Sequence, residues 1–437
     1  MPLVFLHGFN VRKEDPSYEK NLTSRNFLFQ RLLLAPLALR DKRFAGLKII
    51  NPYCGDLGIN FAWSEPSIFA TPCLESLEPN GPTTADLEFL GTVQQLMPGR
   101  IPLERLSTER NVLRQAADCD PQRFLESIVM RVALSEISLK LNDSETPEQE
   151  GWRQALLIEA ARDVGVATTT EALIATAQSD EDLLSKLEQA VADRFQQLYR
   201  QEASVVGEAS SRFLTGVPTS ENMGSGSSTL RDRLSEVFDR ALDATTRSTS
   251  ATVQTALHDQ VIRYVGRFVG NVFVYLHSRD NNELVKSIAG QVLDTIIRAL
   301  DQECDGSPLL IVTHSMGGNI LYDLLTYYAR DLAVDLWVAV ASQVGMLEGM
   351  KLFKGSDLKT VAPQKVSVRD LKPRLKRWVN VYDPMETLSF LAQPLFADVD
   401  ADISYRSGMG LIQAHGAYFQ RASFCELLLS QALTPKP

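Results

Sequence analysis

The sequence predicts an α/β fold: a doubly wound, mostly parallel sheet interrupted by a large helical insertion. Three observations carry this expectation. Short, continuously apolar runs recur at both ends of the 437-residue chain, amphipathic stretches separate them, and the strand pattern almost vanishes between about 60 and 283. Runs that are apolar at every position suit strands covered on both faces, as parallel strands are. Strand–helix alternation implies crossover connections winding a single sheet.

The first strand is Leu3-Val4-Phe5-Leu6, which runs straight into His7-Gly8. Residues 19–40 carry Leu22, Phe27, Leu28, Leu32 and Leu33 at helical spacing, and 47–50 (LKII) reads as the second strand. An irregular, Pro-containing stretch with Phe61, Trp63 and Phe69 opens the middle of the chain. Amphipathic runs follow near 103–117, 121–141, 150–164, 179–204 and 229–276. They are broken by a polar segment at 142–150 and by a Gly/Ser-rich one at 207–228, which has a mobile loop's composition. The sheet pattern then returns. A helix spans 284–303, a strand 309–313, and a helix after Ser315 carries Ile320, Leu321, Leu324, Leu325 and Tyr328. Strands follow at 334–341 and 378–382. The expected organisation is therefore 1–59 with 284–437 as the sheet core, and 60–283 as a helical insertion serving as a cap, a lid or a partner-binding unit.

Composition narrows the function classes. A formal net charge of −10 and the lack of a dense Lys/Arg run argue against a nucleic-acid partner. Five cysteines, an odd count with no CxxC pair, point to a reducing, cytoplasmic setting rather than a disulfide framework. The apolar start lacks the basic region of a signal peptide, and no window has the ~18 apolar residues of a membrane span, so a soluble chain is expected. Asp398, Asp400 and Asp402 resemble the start of a calcium loop, but Ile403 stands where that loop needs Gly. Neither a metal nor a cofactor is expected.

The chemistry-bearing signal is LLIVTHSMGGNILYDLL at 309–325. A buried strand, a tight turn at His314-Ser315-Met316-Gly317-Gly318 and an immediate helix are the context of a nucleophile elbow. The turn must lift Ser315 above the sheet while strand and helix pass closely, so its flanks must be small. Gly317 and Gly318 meet that demand; Thr313, two before the serine, replaces the usual Gly. His7-Gly8 at the end of the first strand lets the chain bend so that Phe9 N–H and Met316 N–H point to one oxyanion. The remaining members follow in the order Ser, acid, His. WVNVYDP places Asp383 at a strand's carboxyl end, with Asp398, Asp400 and Asp402 as rivals, although Asp-Pro also starts many turns. His415, in GLIQAHGAYF, is the histidine that follows the acid; His258 and His277 precede the serine. The expected triad is Ser315, Asp383 and His415. Phe61 and Trp63, with Phe268 and Val272 in the stripe 261–275, are the expected substrate contacts. Such a stripe also fits plain core.

LHGFN, THSMGG, VYDP and AHGAY together resemble the α/β-hydrolase superfamily, within it the lipase/esterase-like branch that includes GPI-inositol-deacylase-like and bacterial serine esterases. The resemblance covers about 1–59 and 270–425. It implies ester or thioester substrates, acyl-enzyme chemistry and no cofactor, with the family's first two strands missing here. The leading expectation is a serine esterase acting on lipid or long-acyl esters, with contact at a membrane surface left open. Soluble esters, thioesters or amides are the alternative. A reading of another class makes the helical insertion bind a partner protein and gate the hydrolase.

Overall fold

The computed structural model describes residues 2–9, 11–59, 84–97, 110–133, 138–140, 144–208, 232, 235–239, 241–242, 265–277, 279, 290–298, 308–368, 371–407 and 414–432. At its centre lie six strands: β1 Leu3–Leu6, β2 Ile49–Ile50, β3 Leu310–His314, β4 Leu336–Val340, β5 Trp378–Tyr382 and β6 Ala401–Ser404. All neighbours are parallel, in the order β2-β1-β3-β4-β5-β6. Five of the six follow from the apolar runs. Strand β6 does not, because its four residues alternate with the aspartate string and are partly exposed.

The winding direction reverses between β1 and β3. From β1 the chain moves outward to β2; from β3 it moves the other way to β6. Their carboxyl ends therefore part at a topological switch point, where open α/β sheets leave a crevice. In register, Leu6 lies beside Thr313, so His7 and His314 leave the sheet side by side.

The two faces of the sheet bury different partners. Leu3, Phe5, Leu310, Val312, Val338, Val379 and Ile403 face helix α1 (Tyr18–Leu28), the C-terminal helices and the middle of the chain. Helix α1 runs on through a π turn, Phe29–Leu34, which keeps Phe29, Leu33 and Leu34 in the same core. The middle contributes α2 (Pro121–Ala133), α3 (Pro147–Gly165) and α4 (Asp180–Glu208). α3 starts earlier than its apolar pattern because Thr146 forms a capping box with Gln149 and Pro147 sits in the first turn. α3 packs along α1, and polar contacts stitch the layer together. Ser24 Oγ and Gln154 Nε2 donate to Gln420 Oε1 at 2.8 and 3.0 Å, and Arg162 Nε donates to Glu426 Oε1 at 2.6 Å. The described middle residues up to 242, expected as part of a cap, lid or partner-binding unit, share one core with this face of the sheet.

Val4, Leu6, Ile311, Trp337, Ala339 and Trp378 face the opposite side, against helix α5 (Met316–Asp323) and helical residues 265–277 and 290–298. Trp337 and Trp378 stack at 4.3 Å between ring centroids. Phe268 and Val272 lie in this core with Phe9, Met316 and Tyr275, only 6% and 9% exposed. Of the stripe expected to meet substrate, residues 265–275 are described, and there Phe268 and Val272 share a core with Val4, Leu6 and Ile320. Among the described residues no helix is long and apolar enough to cross a membrane.

Candidate active site

Ser315 stands between β3 and α5 with φ 54° and ψ −129°, a conformation that a non-glycine residue adopts only under constraint. The constraint is visible on both sides. Ser315 N–H donates to Val340 O of β4 at 3.0 Å, and Gly318 N–H donates back to Ser315 O at 3.0 Å. Gly317 passes so near β1 that a Cβ there would lie 2.3 Å from Leu6 O, and one on Gly318 would lie 2.3 Å from Ser342 Oγ. Thr313 is accommodated because its Oγ1 accepts from Trp337 Nε1 at 2.8 Å and a side chain on Gly318 would crowd it at 3.4 Å. The room that the usual pattern obtains two residues before the serine is supplied here three residues after it.

The turn after β1 lies over the elbow. A Cβ on Gly8 would sit 3.2 Å from Met316 N and 3.4 Å from Ser315 Cβ. Met316 is the first residue of α5, so its N–H has no acceptor within the helix. Phe9, the other expected oxyanion donor, follows Gly8 and is 1% exposed.

His415, near the start of the short helix Ala414–Ala417, is brought against the residue preceding the serine. Its carbonyl accepts from His314 Nε2 at 2.5 Å, and the two imidazoles lie 4.5 Å apart. Burial, and next the nearby His415, hold His314 well below the usual histidine range, so it serves as a neutral donor. His415 Nδ1 hydrogen-bonds Glu386 Oε1, and Glu386 is fully buried. Tyr418, three residues after His415, donates to Glu386 Oε2 at 2.6 Å. Burial and the Glu386 carboxylate push the Tyr418 phenol well above its ordinary value, which keeps it a donor.

The structure does not bring the expected acid, Asp383, to His415; Glu386 is the carboxylate found there. Asp383 does lie at the carboxyl end of β5, but its carboxylate is committed to the chain around it. Oδ1 accepts from Met385 N–H at 2.9 Å, while Oδ2 accepts from Ser407 N–H and Oγ at 2.8 and 2.7 Å. Asp383 O also accepts from Glu386 N–H at 3.1 Å. Asp383-Pro384 thus builds the turn that presents Glu386 to His415. The rival aspartates are occupied elsewhere: Asp398 accepts from Val368 N–H, Asp400 from Lys372 Nζ and Trp378 N–H, Asp402 from Asn380 Nδ2 and Ala392 N–H. Phe61, Trp63 and most of 207–228 lie outside the described residues.

A residue that the sequence did not single out ties the parts together. Gln343, fully buried after β4, accepts from Asn319 Nδ2 of α5 at 3.2 Å and donates to Ala341 O and Leu388 O at 2.8 and 2.7 Å. It fastens the helix behind Ser315 to the loop carrying Glu386. Compared with protein families, curated proteins and solved structures, the chain has no match.

Proposed function

We propose that the chain is a serine hydrolase of carboxylic esters, with Ser315 as nucleophile, His415 as general base and Glu386 as the carboxylate that orients it. One observation carries the reading: a serine forced to positive φ at the switch point of a parallel sheet, with a histidine–carboxylate pair docked on its neighbour. It agrees with the resemblance of LHGFN and THSMGG to the lipase/esterase-like branch of the α/β-hydrolases.

In this mechanism Ser315 Oγ attacks the acyl carbonyl and its proton passes to His415 Nε2. Glu386 fixes the tautomer from Nδ1 and stabilises the imidazolium. Phe9 and Met316 N–H groups receive the oxyanion, each worth about 3 kcal/mol. His415 then protonates the leaving alkoxide, which departs as the alcohol and leaves an acyl-Ser315. Water, deprotonated by His415, attacks that ester; the acid is released and the proton returns to Ser315. Lipid or long-acyl esters remain the leading substrate class by resemblance, ahead of soluble esters, thioesters or amides. A fluorophosphonate should label the protein once, at Ser315, and an acyl-chain-length series should rank its esters. Labelling at another serine, undiminished in Ser315→Ala, would overturn the assignment.

A further inference from the structure

We propose that Arg25 is a positioning residue of this hydrolytic site, holding the turn after β1 and placing a positive charge behind the oxyanion position; this rests on the hydrolase reading. Four arginines are buried among the described residues: Arg25, Arg131, Arg153 and Arg421. Three have a carboxylate partner, in Asp86, Glu145 and Glu126. Among the described residues the partners of Arg25, 3% exposed, are neutral side chains. Its guanidinium hydrogen-bonds His7 Nε2, Asn26 Oδ1 at 3.2 Å and Asn51 Oδ1 at 2.5 Å, and lies 4.0 Å over the Phe5 ring. A buried cation without a carboxylate is among the costliest groups a fold can hold, and removing it leaves its buried acceptors unpaired.

Its location gives that cost a use. His7 is the first residue past β1 and Asn51 the first past β2, so Arg25 clamps the carboxyl ends of two neighbouring strands. His7 leads directly to Gly8, which lies over Met316 N, and to Phe9. An arginine only donates, so His7 Nε2 accepts and the ring proton sits on Nδ1, a buried atom with no partner. Burial, and next the Arg25 charge, hold His7 well below the usual histidine range; the same charge also acts on His314, beside the nucleophile. Arg25 thus places a positive charge beside the neutral imidazoles of His7 and His314, while the charge that develops during acyl transfer is negative. Glu386 answers the imidazolium on the far side.

The test compares wild type, Arg25→Met and Arg25→Lys for the rate of fluorophosphonate labelling at Ser315, kcat and KM on a soluble ester, and melting temperature. Arg25→Met should label and turn over about tenfold or more slowly. KM should hold, and the loss of kcat should persist per folded molecule well below each variant's melting temperature. Arg25→Lys, which keeps the charge and loses the fork, should fall between. Labelling of Arg25→Met at the wild-type rate would overturn the inference alone, as would an Arg25→Lys no faster than Arg25→Met. Failure of the wild type to label at Ser315 would overturn the hydrolase reading itself.

Discussion

The helical layer and the carboxyl edge of the sheet both bury polar groups, yet they treat them in opposite ways. In the layer, charge meets charge. Arg31 reaches Glu159 at 2.6 Å and also Glu202, Arg153 pairs with Glu145, and Arg194 Nη2 meets Asp163 at 2.6 Å. At the sheet edge Ser315 and Ala341 hold positive φ, His7 and His314 are kept neutral, and Arg25 meets neutral side chains. Positive φ also occurs away from this edge, at Asn111 and Lys351, but at the edge it coincides with the candidate nucleophile, and such departures cluster at working sites.

The sharpest test of that contrast is Ser315→Ala. It should lower turnover by ~10⁴-fold or more while leaving stability level or higher, because alanine removes no packing. A turnover within tenfold of wild type would dissolve the contrast. Next comes Glu386→Gln against Asp383→Asn. The first should cut kcat by about 10³–10⁴ with the fold intact, since the amide favours the wrong His415 tautomer. The second should destabilise by about 1–3 kcal/mol through the Ser407 and Met385 contacts, with less loss of kcat per folded molecule. The reverse ranking in kcat would restore Asp383 as the acid. On the layer side, Leu156→Ala should destabilise by about 2–5 kcal/mol and leave kcat per folded molecule unchanged, as read by urea unfolding beside active-site titration.

The smallest effect concerns pH. His7 and His314 have folded values well below the unfolded value of about 6.5. The unfolded chain therefore takes protons first, and the stability present above pH 6.5 is lost as pH falls below it. Each should contribute a slope of about 1.4 kcal/mol per pH unit. Urea midpoints between pH 7 and 5.5 measure it, and His7→Gln should flatten the curve.

Much of this was legible before any coordinates. Strand β1 and the cores of β3, β4 and β5 fall where apolar runs stood, because a strand covered on both faces has no polar position to blur it. Ser315 and His415 stand out in the sequence as candidates from the elbow and the chain order, and the structure places them near each other. Glu386 was not. It lies beyond the strand end, and Asp383 holds the position where an acid is expected. The available signal was Asp-Pro itself: an aspartate that starts a turn spends its oxygens on the next backbone N–H groups, leaving the following carboxylate free to face inward. The 265–277 stripe reads either way, since helical apolar spacing reports that a face is covered, not what covers it.

The strand order also sets a timetable. β1 touches only β2 and β3 within the sheet, and β3 begins at Leu310, some 260 residues beyond the end of β2. At about 5–20 residues per second of synthesis, Leu3–Leu6 waits roughly 15–60 s for its second neighbour, its apolar residues exposed to whatever else is in reach. The candidate base arrives later still, at residue 415, so the candidate site is complete only after both Ser315 and His415 have emerged.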